Sequence, residues 1–99
     1  MTPADVVAKM NEKKAWLPGK RIKFDFGSDG RILADGAAET VSEEDGAADT
    51  TLKMSWADFQ AMDRGELDGM TAFMTGKLKI EGDMSNAMQL QGVMAKLRG

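Results

Sequence analysis

The sequence predicts one α+β domain, in which helices cover one face of an antiparallel sheet. In the middle of the chain, apolar residues recur at every second position, as in half-buried strands, and elsewhere they recur at steps of three and four, as in amphipathic helices. The predicted order is a helix, a run of strands, helices, one strand and a final helix, which is typical of the α+β class. A chain of 99 residues fits a single domain over residues 1–99.

The first helix is predicted to begin at Pro3, a residue that suits the first helical position. Thr2 precedes it and can cap the helix, and Asp5 lies where a capping box requires an acidic side chain. The apolar stripe of this helix consists of Val6, Val7 and Met10. We expect this stripe to be the buried face.

Two strands are predicted to form a hairpin. Ile22, Phe24 and Phe26 alternate with charged residues, which indicates a half-buried strand. Residues 27–30 have the sequence Gly-Ser-Asp-Gly, which is typical of a hairpin turn. Residues 31–35 are therefore expected to return beside the first strand.

Two further strands are predicted before the second helix. Residues 39–42 form one of them, with Val41 as the only large apolar residue. The other spans residues 50–54, where Leu52 and Met54 share a face.

The next two predicted helices start at capping residues. Ser55 and Asp68 stand at their N-termini, and Gly76 ends the second of them. The apolar residues of the first are Trp56, Phe59 and Met62, and those of the second are Met70, Phe73 and Met74.

A last strand and a last helix complete the predicted fold. Leu78 and Ile80 alternate with charged residues, and Gly82 leads into a helix that reaches about Leu97. The apolar residues of that helix cover an arc of roughly 220°, about twice the width that a helix on one sheet needs. They are Met84, Ala87, Met88, Leu90, Val93, Met94, Ala95 and Leu97. The excess leaves room to face a pocket, a partner or a membrane. Gln91 lies in the middle of the arc, and a buried amide there would require a hydrogen-bond partner, such as a polar group of a ligand.

Composition excludes several kinds of site. The chain has no Cys and no His, so thiol nucleophiles, His-based triads and zinc sites with these ligands are absent. Residues 43–45 form an acidic turn with no apolar residues around it. Without apolar surroundings, the pKa of a carboxyl group there is not expected to rise enough for acid catalysis. We therefore predict no catalytic residue, no cofactor and no metal site, and expect that the protein is not an enzyme.

The net charge of −3 argues against a general nucleic-acid binder. No apolar run approaches a membrane span and no leader is visible, so we expect a cytoplasmic protein.

Methionine is unusually frequent. The chain has nine Met residues, and seven of them lie between Met54 and Met94. Because the Met side chain is unbranched and polarizable, it adapts to irregular space and to varied ligands. Periodicity alone favours core packing, and a ligand-lining role remains open.

One segment resembles a known family. Residues 73–91, FMTGKLKIEGDMSNAMQLQ, are similar to the signature of the sterol carrier protein 2 family, the sterol-transfer domain. The strand order and the stretch from Ala48 to Met54 also fit, so that the resemblance covers Val6 to Leu97. The short first helix suggests a compact, bacterial-type member.

The resemblance implies a five-stranded, mainly antiparallel sheet covered on one face by four to five helices and enclosing an apolar tunnel. It implies non-enzymatic binding and transfer of a lipid ligand: a fatty acid, fatty acyl-CoA, phospholipid or sterol-like molecule. Transient membrane contact and a monomer or weak dimer are expected. The resemblance places cavity-lining positions on three helices, and we add Ile80 and Met94 to them. The predicted ligand-binding residues are Phe59, Met62, Met70, Phe73, Met74, Ile80, Met84, Met88, Gln91 and Met94. The alternative is a protein-interaction or dimerisation module that uses the apolar face of the last helix.

Overall fold

The computed structural model describes the backbone of residues 2–98 and the side chains of residues 2–95. Its helices and strands follow the predicted order and confirm the α+β class. They are α1 (Pro3–Glu12), β1 (Arg21–Asp25), β2 (Arg31–Asp35), β3 (Thr40–Ser42), β4 (Thr50–Lys53), α2 (Trp56–Asp63), α3 (Gly69–Met74), β5 (Lys79–Gly82) and α4 (Met84–Arg98), with a 3-10 turn at Gly27–Asp29 between β1 and β2.

The five strands form one sheet in the order β3-β2-β1-β4-β5. Three of the four pairs are antiparallel, and β1 and β4 run parallel at the centre. The expectation of a mainly antiparallel, five-stranded sheet is thus confirmed. The parallel pair needs a long crossover, which β2, β3 and the loop after β3 supply.

One face of the sheet carries the core. Phe24 of β1 pairs with Ile32 of β2 and with Leu52 of β4, and Ile22 pairs with Ala34, so these side chains lie on the same face. All five are buried. Buried side chains from all four helices join them in one cluster, among them Val6 and Met10 of α1, Phe59 of α2, Ala72 of α3, and Leu90, Val93 and Met94 of α4. The helices therefore cover this single face.

A loop crosses part of the opposite face. Leu33 pairs with Lys23 on that side of the sheet, yet it is buried, and Gly46 lies against it. Asp45 holds the loop there, because its carboxylate accepts a hydrogen bond from Lys23 Nζ at 2.8 Å and lies 3.7 Å from Arg31 Nε. Lys23, the Gly46 N–H and the nearby Arg31 charge together keep the pKa of Asp45 below its ordinary value.

The predicted helix caps are present. The Asp5 N–H donates to Thr2 Oγ1 at 3.3 Å, and the Asp5 carboxylate accepts from the Thr2 N–H at 2.8 Å, which completes the capping box. Ser55 and Asp68 likewise accept backbone N–H groups at the starts of α2 and α3. Residues three positions apart make all of these bonds, so local sequence determines where these helices begin.

Between β2 and the segment before β1, two backbones approach closely at Gly36. Its N–H donates to the carbonyl oxygen of Lys20 at 2.7 Å, and a Cβ built on Gly36 would overlap the carbonyl oxygen of Leu17. Only glycine fits this contact without a backbone shift. Within residues 2–98, no helix is long and apolar enough to cross a bilayer.

Candidate functional site

A cavity of about 260 Å³ lies between the core face of the sheet and helices α2, α3 and α4. Strands β1, β4 and β5 contribute to one wall, and the three helices and the turns beside them form the others. The lining residues are Phe24, Leu52, Met54, Phe59, Met62, Leu67, Asp68, Gly69, Met70, Phe73, Leu78, Ile80, Met84, Ala87, Met88, Leu90, Gln91 and Met94. Because most of these side chains are apolar, the cavity suits an apolar guest.

An aromatic cluster fixes the inner wall. Phe59 is fully buried, and its ring centroid lies 5.6 Å from that of Phe24, 5.2 Å from Phe26 and 5.5 Å from Trp56. The ring of Phe24 meets Phe59 edge-on, that of Phe26 is tilted and that of Trp56 is stacked, and aromatic contacts at these distances are favourable beyond the burial of area alone. They hold α2 on the sheet, so this side of the cavity is a packed surface.

The opposite side opens to solvent. Among residues 2–95, four apolar side chains both line the cavity and remain exposed: Met70, Phe73, Met84 and Met88, which we call the mouth residues. Met70 and Phe73 belong to α3, and Met84 and Met88 to the first two turns of α4. Large apolar groups clustered in this way at an opening are typical of binding surfaces.

Only two polar side chains, those of Asp68 and Gln91, line the cavity in the part of the chain with described side chains. Asp68 caps α3 by accepting the Thr71 N–H at 3.1 Å, and both side chains belong to exposed residues. They can meet the polar end of a guest near the opening. Over the described residues there is no group of three or more acidic, Cys or His side chains that could hold a metal ion.

Helix α4 is attached to the sheet at its first turns by a buried polar contact. The Asn86 side-chain amide, 1% exposed, donates to Thr50 Oγ1 at 3.2 Å, and the Thr50 hydroxyl donates to the Asp83 carbonyl oxygen at 2.7 Å. The buried face of the helix therefore runs through Asn86, Leu90 and Val93, at steps of four and three residues.

This orientation corrects one expectation about α4. Gln91 was expected in the middle of the buried arc, but it is exposed. It follows Leu90 by one residue, or about 100° around the helix, which turns it away from the sheet. The buried amide of this helix is Asn86 instead.

The structure brings nearly all of the predicted ligand-binding residues together. Phe59, Met62, Met70, Phe73, Ile80, Met84, Met88, Gln91 and Met94 line the cavity. Met74 does not line it and is 78% exposed. It lies two residues after the buried Ala72, about 200° around α3, so its side chain points away from the core. Ligand contact by the nine others stays a prediction.

Several lining residues were not predicted. Phe24, Leu52 and Met54 lie on the core face of β1 and at β4, and their alternation with polar residues could have assigned them to the cavity wall. Leu67 lies in a turn without periodicity, and no sequence signal identifies it. The remaining unpredicted lining residues are Asp68, Gly69, Leu78, Ala87 and Leu90.

Comparison with known proteins identifies the family. Residues 7–95 match the SCP-2 sterol transfer family. Stomatin-like protein 1 of Mus musculus is 39% identical over 56 residues, which are 57% of this chain and 14% of that protein. Sterol carrier protein 2 of Homo sapiens is 39% identical over 61 residues, which are 62% of this chain and 11% of that protein. The chain therefore matches only a small part of these longer relatives.

A solved structure agrees with the observed architecture. The sterol carrier protein 2 of Aedes aegypti, determined in complex with palmitate, matches this chain with a TM-score of 0.76 and 22% sequence identity, and the match covers 93% of each chain. At that identity the likeness concerns the fold. From the match over residues 7–95 and the shared fold, we conclude that this chain belongs to the SCP-2 sterol transfer family.

Proposed function

We propose that the chain binds one lipid in its cavity and transfers it without chemical change. The observation that carries this proposal is a cavity of about 260 Å³ walled by Phe and Met side chains and opened by the four mouth residues. The palmitate found in the related Aedes aegypti protein supports an acyl chain as the guest. Fatty acids, fatty acyl-CoA, phospholipids and sterol-like molecules are the candidate ligands.

The energetics of the cavity favour an occupant. At roughly 24 cal/mol per Å³, a dry void of this volume would cost about 6 kcal/mol. The whole stability of a domain is only about 5–15 kcal/mol. Because the cavity opens to solvent, it admits water in the free chain, and an acyl chain that displaces this water contributes about 0.8 kcal/mol for each methylene that leaves water. Binding and stability are therefore expected to rise together.

The two ends of the cavity suggest how the guest is oriented. Of the described side chains that line the cavity, the two polar ones, Asp68 and Gln91, belong to exposed residues, whereas the inner wall around Phe59 consists of the aromatic cluster. We infer that the tail lies against the aromatic cluster and that the polar end stays at the opening. Transfer requires contact with a donor bilayer, for which the mouth residues provide an apolar surface.

The test is direct lipid binding by the purified chain. Native mass spectrometry should detect one bound lipid per chain, and saturating palmitate at about 100 times its dissociation constant should stabilise the fold by about 2.7 kcal/mol. For a domain of this size that raises the melting temperature by about 10–20 °C. Absence of any shift with palmitate, a lysophospholipid and a sterol would contradict the proposal.

A matched pair of substitutions on α4 separates the cavity from the rest of the surface. Ala87→Phe places a ring in the cavity and should abolish palmitate binding while keeping the fold. Ala95→Phe, two turns further along the same helix at an exposed position outside the cavity, should bind palmitate as the parent does. Equal binding by both variants would place the lipid elsewhere.

The alternative, an interaction or dimerisation module, is favoured by one observation: Met84 and Met88 of α4 are exposed. Two copies could cover these side chains against each other. Mass measurement at micromolar concentration distinguishes the two functions. A monomer with extractable lipid supports the carrier, and a stable dimer without extractable lipid supports the module.

A further inference from the structure

Among the described residues, seven methionines fall into a buried and an exposed group, and Met62, which also lines the cavity, is intermediate in exposure. Those packed in the core are Met10 at 0%, Met54 at 6% and Met94 at 8%. Those open to solvent are Met84 at 45%, Met70 at 50%, Met88 at 66% and Met74 at 78%. Three of the exposed four line the cavity, and Met74 does not. Reagents in solution therefore reach the thioethers at the opening long before those in the core.

We propose that Met70, Met84 and Met88 form a reversible oxidation site that controls lipid binding. The proposal rests on the proposed carrier function, and it adds a modification and its chemical agent, a peroxide. The chain contains no Cys, so the thiols that usually react first with peroxide are absent. The exposed thioethers are then the most accessible oxidisable groups around the cavity.

The chemistry balances in both directions. The thioether sulfur takes one oxygen atom from hydrogen peroxide, loses two electrons in forming the sulfoxide, and the peroxide leaves as water. A thiol-dependent methionine sulfoxide reductase reverses the step: the oxygen leaves as water, and two thiols become a disulfide. Separate reductases act on the two sulfoxide epimers.

Oxidation changes the opening of the cavity. A sulfoxide is polar and keeps its hydration while the side chain faces solvent. When an acyl chain lies in the opening, that hydration is lost without a replacement hydrogen bond. Such a loss weakens binding by about tenfold for each affected group. The exposed position of these residues lets the fold tolerate the change, in contrast to the core methionines.

The experiment treats the full chain with dilute hydrogen peroxide. Peptide mass spectrometry follows sulfoxide formation at each Met, and a fluorescent polyene fatty acid reports affinity before oxidation, after it, and after treatment with both reductases. We expect sulfoxides to form first at the four exposed methionines. Affinity should fall at least tenfold and return after reduction, while far-UV circular dichroism stays unchanged.

Two variants separate the opening from the rest of the surface. M70L/M84L/M88L replaces three thioethers with side chains of similar volume. Whatever its starting affinity for the fatty acid, that affinity should not change on treatment with peroxide. M74L keeps the three and should lose affinity as the parent does. Oxidation that begins at Met10 or Met54, or an affinity that survives complete oxidation of the three, overturns the proposal. A chain that binds no fatty acid before treatment overturns the carrier function as well, so the two failures are distinguishable.

Discussion

Removing the ring of Phe59 is the perturbation that tests the inner wall of the cavity most directly. Phe59 is fully buried and contacts the rings of Phe24, Phe26 and Trp56. Phe59→Ala should lower the free energy of unfolding by about 3–5 kcal/mol, because the lost ring leaves a larger void among packed neighbours. For a domain of this size, the melting temperature should fall by at least about 12 °C.

The comparison variant is Phe73→Ala, in which the ring removed also lines the cavity but is 41% exposed. It should cost only about 1 kcal/mol of stability, since no closed void results. Its effect should instead fall on lipid affinity, because Phe73 is a mouth residue. The pair thus separates a residue that holds the wall from one that meets the guest.

Urea denaturation measures both variants, with far-UV circular dichroism for the whole fold and tryptophan fluorescence for the wall. Trp56 stacks on Phe59 with an interplanar angle of 12°, so its emission reports this cluster. A Phe59→Ala protein within about 1 kcal/mol of the parent would refute the assignment of a packed wall. So would a Phe73→Ala protein that is destabilised as strongly as Phe59→Ala.

Three further predictions concern backbone space, pH and charge. Gly36→Ala should destabilise the fold by more than about 2 kcal/mol in urea denaturation, because the added Cβ would overlap a backbone carbonyl. Gly92→Ala, in open space on α4, should instead stabilise the fold by up to about 1 kcal/mol. Hydrogen bonds from the Ser85 side chain and N–H keep the pKa of Asp83 below its ordinary value. That contribution is present above the unfolded pKa and is lost as pH falls through the folded pKa, so between about pH 5 and pH 2 the melting temperature of Asp83→Asn should decline less than that of the parent. Asp68→Asn should increase affinity for fatty-acid anions more than for uncharged lipids in fluorescence titrations, and equal changes would place the head group away from Asp68.

The parts of the fold that could be predicted are those decided by neighbouring residues. The caps at Thr2, Ser55 and Asp68 depend on hydrogen bonds between residues three positions apart, and all three are present. Alternation in β1 and β4 gave the correct buried face, because Phe24 and Leu52 lie there. The order of the strands depends on pairing between distant segments, and the parallel pair of β1 with β4 was not predicted from the residues.

The candidate site could be predicted to the extent that helical periodicity determines which side chains face inwards. That reasoning failed where the rotation of a helix depends on a distant contact. The hydrogen bond between Asn86 and Thr50 turns α4 so that Leu90 is buried and Gln91 is exposed. An amide on a helix is ordinarily expected outside the core, which holds for Gln91 but not for Asn86, so the sequence alone does not identify which amide of α4 is buried.

The walls of the cavity come from distant parts of the chain, and this has a consequence for its biogenesis. Phe24 and Leu52 leave the ribosome well before Met84, Met88 and Met94, which close the remaining side. Synthesis proceeds from the N-terminus at about 5–20 residues per second, so a nascent chain without α4 presents an open apolar trough for several seconds. A lipid bound in this cavity would therefore be enclosed only once α4 has been synthesised, and the nascent trough is a site where chaperones are expected to act.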